Sequence, residues 1–179
     1  MNQKRVSDIL SDVRQKQPLI HCITNPISIN QCANGLLAVG ARPIMAEHPK
    51  EVSEITQSAQ ALMLNLGNIT DARMESILIS AKTAQAQGIP FLLDAVGVAC
   101  SALRREYATE LLNIAVPRVI KGNYSEIQAL YRQSYHSSGV DADSRLEIPA
   151  IELAATSLAH SLGTIILASG KVDIVTDGS

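Results

Sequence analysis

The chain has 179 residues, 46% of them hydrophobic and 18% charged, with a formal charge of −2 at neutral pH. That makeup excludes extended disorder and predicts one globular domain, residues 1–179, with a continuous core. Charges of both signs with no basic run leave no source for the attraction to phosphate backbones that drives nucleic-acid binding, so no nucleic-acid partner is expected.

With no Trp and one Phe, the core must be built from Ala, Ile, Leu and Val, which suits helices packed against a buried sheet. Cys22, Cys32 and Cys100 are odd in number and lack the paired spacing of a zinc site, which implies a reduced, cytoplasmic setting. No signal-peptide core is present at the N-terminus. No later run reaches the roughly 20 apolar residues of a bilayer span, so no membrane association is expected.

In chain order, Val6, Ile9, Leu10 and Val13 predict an amphipathic helix ending before Pro18. Strand and helix patterns then alternate: Leu19–Cys22 and Ser28–Val39, Pro43–Met45 and Glu51–Ala59, Ala61–Leu66 and Ala72–Gln87, Pro90–Leu93 and Ser101–Ile114. Arg118–Lys121 and Ser125–Tyr131 continue the series, followed by a loop-like Ser134–Ser144, a helix over Ile148–Leu162 and a strand over Thr164–Ala168. Val172–Thr176 adds a strand after the Ser169-Gly170-Lys171 turn, and Asp177-Gly178 signals a further hairpin turn. This succession predicts an α/β fold with a mainly parallel sheet covered by helices on both faces. Ligands of such sheets bind at the carboxyl ends of the strands.

Several polar residues fall at those ends. Asp94 follows its strand and leads into a Gly-containing segment; Glu126 lies in the first turn of a helix. Each alone reads equally as a helix cap, but as a pair they could hold Mg2+ through waters beside a substrate phosphate. Lys121 could point its charge at a phosphate or simply end its strand in solvent, and Ser169-Gly170 could donate to a phosphate or make an ordinary turn. His21 and Cys22 invite a Cys/His nucleophile, yet neighbours on a strand point to opposite faces and would not meet. Asn25 is more useful as a hydrogen-bonding group, and Met45 could pack on a flat heterocycle or in the core.

Six segments in order carry a further signal. They are His21-Cys22-Ile23-Thr24-Asn25, Ala33 to Ala41, Pro43-Ile44-Met45-Ala46, Asp94-Ala95-Val96-Gly97-Val98, Val119 to Ile127 and Val172 to Gly178. From about residue 18 to the last residue, this set resembles the hydroxyethylthiazole kinases, which phosphorylate the hydroxyethyl side chain of a thiazole on the route to thiamine. The resemblance implies a three-layer ribokinase-like fold, Mg2+ and ATP dependence, and a homotrimer with active sites between subunits. It also implies that Met45 and Asn25 lie at the thiazole alcohol, that Lys121 and Ser169 contact ATP, and that Asp94 and Glu126 organise the metal and phosphates.

Three departures bear on that expectation. Ala95 stands where the family usually has Pro, which should loosen the loop slightly, and Lys121 where it usually has Arg, losing a bidentate fork. The family also continues for about another half-domain, with a Gly-rich segment that activates the alcohol, so no catalytic group is expected within this chain and it reads as cut short. Two other readings follow: a shortened, non-catalytic binding or scaffold relative, and an ADP-dependent repair hydratase of the same superfamily, which a dehydration assay would separate.

Overall fold

The computed structural model describes residues 3–132 and 147–179, with side chains from Val6 onward; the Ser134–Ser144 stretch lies outside them. Contacts divide the chain into two compact units, Met1–Met63 with Asn68–Pro90, and Leu64–Gly67 with Phe91–Ser179.

The first unit contains α1 (Gln3–Lys16), β1 (Leu19–Ile23), α2 (Ile29–Val39), β2 (Arg42–Ile44), α3 (Val52–Ser58), the start of β3 (Ala61–Asn65) and α4 (Asp71–Gln87). Its strands lie in the order β2-β1-β3, and β1 pairs with β2 in parallel, His21 opposite Ile44. Arg14 and Lys16 close α1 with positive charge at its negative end, and Pro18 follows. Gly40 ends α2 in the left-handed region, where its N–H and that of Ala41 satisfy the Leu37 and Leu36 carbonyls. The Thr70 hydroxyl opens α4 by accepting the Arg73 N–H. Val52, Leu62, Ile77, Ala81 and Ala84 are buried.

The second unit takes the end of β3 and adds β4 (Phe91–Asp94), α5 (Ala102–Ile114), β5 (Val119–Asn123), α6 (Tyr124–Arg132), α7 (Ile148–Leu162), β6 (Ile165–Ser169) and β7 (Ile174–Thr176). From β3 the order is β4-β5-β6-β7; β4, β5 and β6 run parallel and β7 returns antiparallel along β6. The mainly parallel sheet is therefore as expected. Leu93, Leu111, Ile120, Ile127, Ile151 and Ile166 fill the core.

Two strands run further than their apolar residues suggest. Asp94 is the last residue of β4 rather than the first beyond it. β5 continues through Gly122 and Asn123, held by pairing with Ala168 and Ser169, and α6 begins at the next residue with no loop between. Among the described residues, no helix is long and apolar enough to cross a membrane.

Candidate active site

In the second unit, parallel register brings a carboxylate and an ammonium group together. Asp94 and Lys121 are partners across β4 and β5, so their side chains emerge on the same face. Lys121 Nζ lies 3.3 and 3.4 Å from the two Asp94 oxygens, and Asn65, at the end of β3, donates its amide to Asp94 Oδ2 at 3.0 Å. The Ala95 N–H donates to the Lys121 carbonyl at 2.9 Å. A proline at that position would lack this donor, so Ala95 ties the turn to β5 instead of loosening it.

Glu126 is almost fully buried and makes a reciprocal cap with the end of β5. Its Oε2 accepts the Asn123 N–H at 2.7 Å while Asn123 Oδ1 accepts the Glu126 N–H at 2.9 Å. The other oxygen, Oε1, accepts the Gly97 N–H at 2.8 Å from the turn after β4. Glu126 thus joins the starts of two connections, β4 to α5 and β5 to α6. Gly122 makes room for it: a Cβ there would stand 3.0 Å from Glu126 Cβ. Gly97 has φ +81°, and a Cβ would fall 2.1 Å from Arg104 Nη1. We expect Gly97→Ala to cost about 1–3 kcal/mol through the left-handed backbone alone, measurable by chemical denaturation.

Ser169 sits opposite Asn123 at the end of β6, its hydroxyl donating to the Gly122 carbonyl at 3.3 Å. The turn that follows is clamped by Tyr124, whose hydroxyl donates to the Val172 carbonyl and accepts the Val172 N–H. Asp94, Lys121, Glu126 and Ser169 therefore all occupy the carboxyl ends of β4, β5 and β6 or the helix that follows β5.

Burial pushes the Asp94 carboxyl above its usual range, against the Lys121 charge and the Lys121 and Asn65 hydrogen bonds, which pull it down. Burial likewise raises Glu126, opposed by the Gly97 and Asn123 N–H groups, with the Asp94 charge pushing further up and Lys121 pulling down. Two desolvated carboxylates that feel each other would gain from a divalent cation. Among the described residues, no cluster of three or more His, Cys, Asp or Glu side chains could hold a metal. The donor set fits Mg2+ that keeps most of its waters and shares phosphate oxygens, and does not fit an ion caged by protein.

In the first unit, Asn25 and Met45 lie just beyond the carboxyl ends of the neighbouring strands β1 and β2, both half-buried. Asn25 Oδ1 accepts the Ser28 N–H at 3.0 Å in the turn before α2. Met45 is one residue past its strand, in a segment fastened by His21. The fully buried His21 ring contacts the Ala46 carbonyl through Nε2 and the Thr56 hydroxyl through Nδ1, each at 2.9 Å. A carbonyl only accepts, so Nε2 carries the proton and Nδ1 accepts from Thr56. Burial lowers the basicity of this ring, consistent with a neutral imidazole.

His21 thus has no spare nitrogen for a nucleophile, and Cys22 is a poor one. Burial, with a smaller push from Cys32, raises the Cys22 thiol to about 12. Alkylation of the native protein should label Cys32 and Cys100, both partly exposed, well before Cys22; peptide mass spectrometry would show the order.

The profile of the Hydroxyethylthiazole kinase family matches residues 10–179. The chain belongs to this family. It is 46% identical to hydroxyethylthiazole kinase 2 of Clostridium botulinum (strain Langeland) over 183 residues, covering 96% of this chain and 67% of that protein. In structure it is similar to a hydroxyethylthiazole kinase protein from Pyrococcus horikoshii OT3, with TM-score 0.86, 31% identity, and coverage of 98% of this chain and 65% of the other. Adenosine kinase from Schistosoma mansoni, at TM-score 0.58, 14% identity and coverage of 92% and 59%, shares the fold alone. The fold is thus the three-layer ribokinase-like one, with a mainly parallel sheet flanked by helices. The chain spans about two thirds of the length of the hydroxyethylthiazole kinases it matches.

Asn65, the Gly97 N–H and His21 in its structural role were not singled out by residue type. The Asn-Leu-Gly sequence ending β3 did carry a signal, because Asn two residues before Gly is a side-chain-to-backbone turn pattern.

Proposed function

We propose that the protein transfers the γ-phosphoryl group of ATP to the alcohol of hydroxyethylthiazole in thiamine biosynthesis or salvage, with Mg2+ as cofactor. The observation that carries this reading is the Asp94–Lys121 pair with Glu126 beside it, at the ends of adjacent strands, in a chain matching the family over residues 10–179. The alcohol oxygen bonds to the γ-phosphorus as the bond to the bridging oxygen breaks and the hydroxyl proton is released to solvent, giving a phosphate ester and ADP. Such a reaction is governed by positioning and charge neutralisation.

In this reading Asp94 and Glu126 hold the metal, which when bound would offset the phosphate charge. Lys121 turns from Asp94 toward a phosphate, and the Ser169 hydroxyl donates to one; Lys121 retains a flexible four-carbon stem and is 35% exposed, so the exchange needs no backbone movement. Met45 packs on the thiazole ring and Asn25 orients the alcohol. A cytoplasmic setting suits the buried, unpaired Cys22 thiol.

In this reading the protein is a homotrimer with active sites between subunits, and α2 offers a face for contact between copies. Its residues are largely apolar, yet none is buried; its own Leu37 is 56% exposed and nearby Ile27 83%. A second copy would cover such a face.

The test is direct: incubate the purified protein with hydroxyethylthiazole, ATP and Mg2+ and follow the phosphate ester by mass spectrometry. Formation of the ester only when Mg2+ is present supports the reading; no ester and no thiazole or ATP binding would overturn it.

A further inference from the structure

Asp94 has two neighbours of different character. Lys121 Nζ is almost equidistant from both carboxylate oxygens, at 3.3 and 3.4 Å, longer than the roughly 2.7–2.9 Å of a well-formed charge-assisted bond. A flexible ammonium shared in this way does not set the rotation of the carboxylate. Asn65 does. It is 6% exposed, and its amide cannot flip: Oδ1 accepts the Gly67 N–H at 2.8 Å, which leaves Nδ2 as the donor to Asp94 Oδ2 at 3.0 Å. The Leu66 N–H also donates to the Asp94 carbonyl at 3.1 Å, so backbone and side chain of Asp94 are both referenced to the end of β3.

Lys121 would be repelled by a divalent cation bound at Asp94, whereas the neutral amide of Asn65 would feel no such repulsion and would keep its bond. We propose that Asn65 is a positioning residue that holds Asp94 by Oδ2 and presents Oδ1 to the metal. This inference rests on the kinase reading. Partners of ligating carboxylates set the orientation of the ligand, and losing one typically weakens metal affinity by about 10–100-fold.

The alternative role for Asn65 is to close the turn at Gly67. Asn65→Ser separates the two, because a serine hydroxyl can still accept the N–H two residues on but is too short to hold Asp94 as well. The experiment is a calorimetric titration of ATP binding against Mg2+ concentration. We expect Asn65→Ser to raise the Mg2+ midpoint by about 10–100-fold, with ATP affinity at saturating Mg2+ and the thermal midpoint nearly unchanged. Asn65→Asp is the second variant. It keeps the acceptor for Gly67, replaces the donor with a like charge, and should move the midpoint too.

A Mg2+ midpoint within roughly twofold of wild type in either folded variant overturns the inference, given the effect expected of such partners. A wild-type protein that shows no Mg2+-dependent ATP binding overturns the kinase reading and this inference with it.

Discussion

Asp94→Asn should remove nearly all Mg2+-dependent phosphoryl transfer, on the order of a hundredfold to a thousandfold, while leaving the metal-free protein as stable as wild type or more so at mildly alkaline pH. The two effects share one cause. Burial raises the Asp94 pKa above its unfolded value of 3.8, so across the interval between the two values the folded state binds more protons than the unfolded one. Stability therefore falls as pH rises through that interval, and above it the full cost of a buried charge is present. Asparagine carries no such charge. It can still accept the Asn65 amide, and Lys121, 35% exposed, can turn to water. Thermal unfolding of both proteins over a series of pH values rising from 3.8, without metal, should show the variant gaining on the wild type across that interval and holding its gain above it. Adding Mg2+ and ATP should reverse the ranking, because only the wild type then has a ligand to offset its charge.

Glu126→Ala should behave differently, losing activity and stability together. Removing the carboxylate strips acceptors from the Asn123 and Gly97 N–H groups at a site only 3% exposed. Leaving a buried donor unpaired costs about 1–3 kcal/mol each, so a loss of about 2–4 kcal/mol is expected once the relief of a buried charge is set against it. Equilibrium denaturation in urea would measure this. Comparing the two variants separates a carboxylate that serves the metal alone from one that also holds the fold. A Glu126→Ala protein with wild-type stability would mean that these bonds do not persist in solution.

The contrast also marks where sequence reasoning succeeded. Helix α7 runs from Ile148 to Leu162 as its periodicity predicts, because Gly163 and the apolar spacing are local signals. The extension of β5 through Gly122 and Asn123 was not legible, since glycine reads as punctuation and the strand is sustained by its pairing with β6. Glu126 could be read as a cap or as a metal-site carboxylate; its bonds to Asn123 and Gly97 make the cap certain, and the metal role is part of the proposal above. The proximity of Asp94 and Lys121 follows from strand register, which no local pattern contains, though each residue was picked out by its place at a strand end. Asn65 falls in a polar cluster at a strand end, but its sequence assigns it no role, because an asparagine before a turn is explained by the turn itself and its second bond depends on a strand 29 residues away.

The junction of β5 with α6 limits what kind of change this chain can absorb. Asn123 ends the strand and caps the helix that starts at the next residue, so no slack lies between Lys121 and Glu126. One inserted residue would rotate the helix by about 100° and swing Glu126 away from the Gly97 N–H. The six residues from Lys121 to Glu126 act as a ruler: their chemistry can be edited one position at a time, but their number cannot.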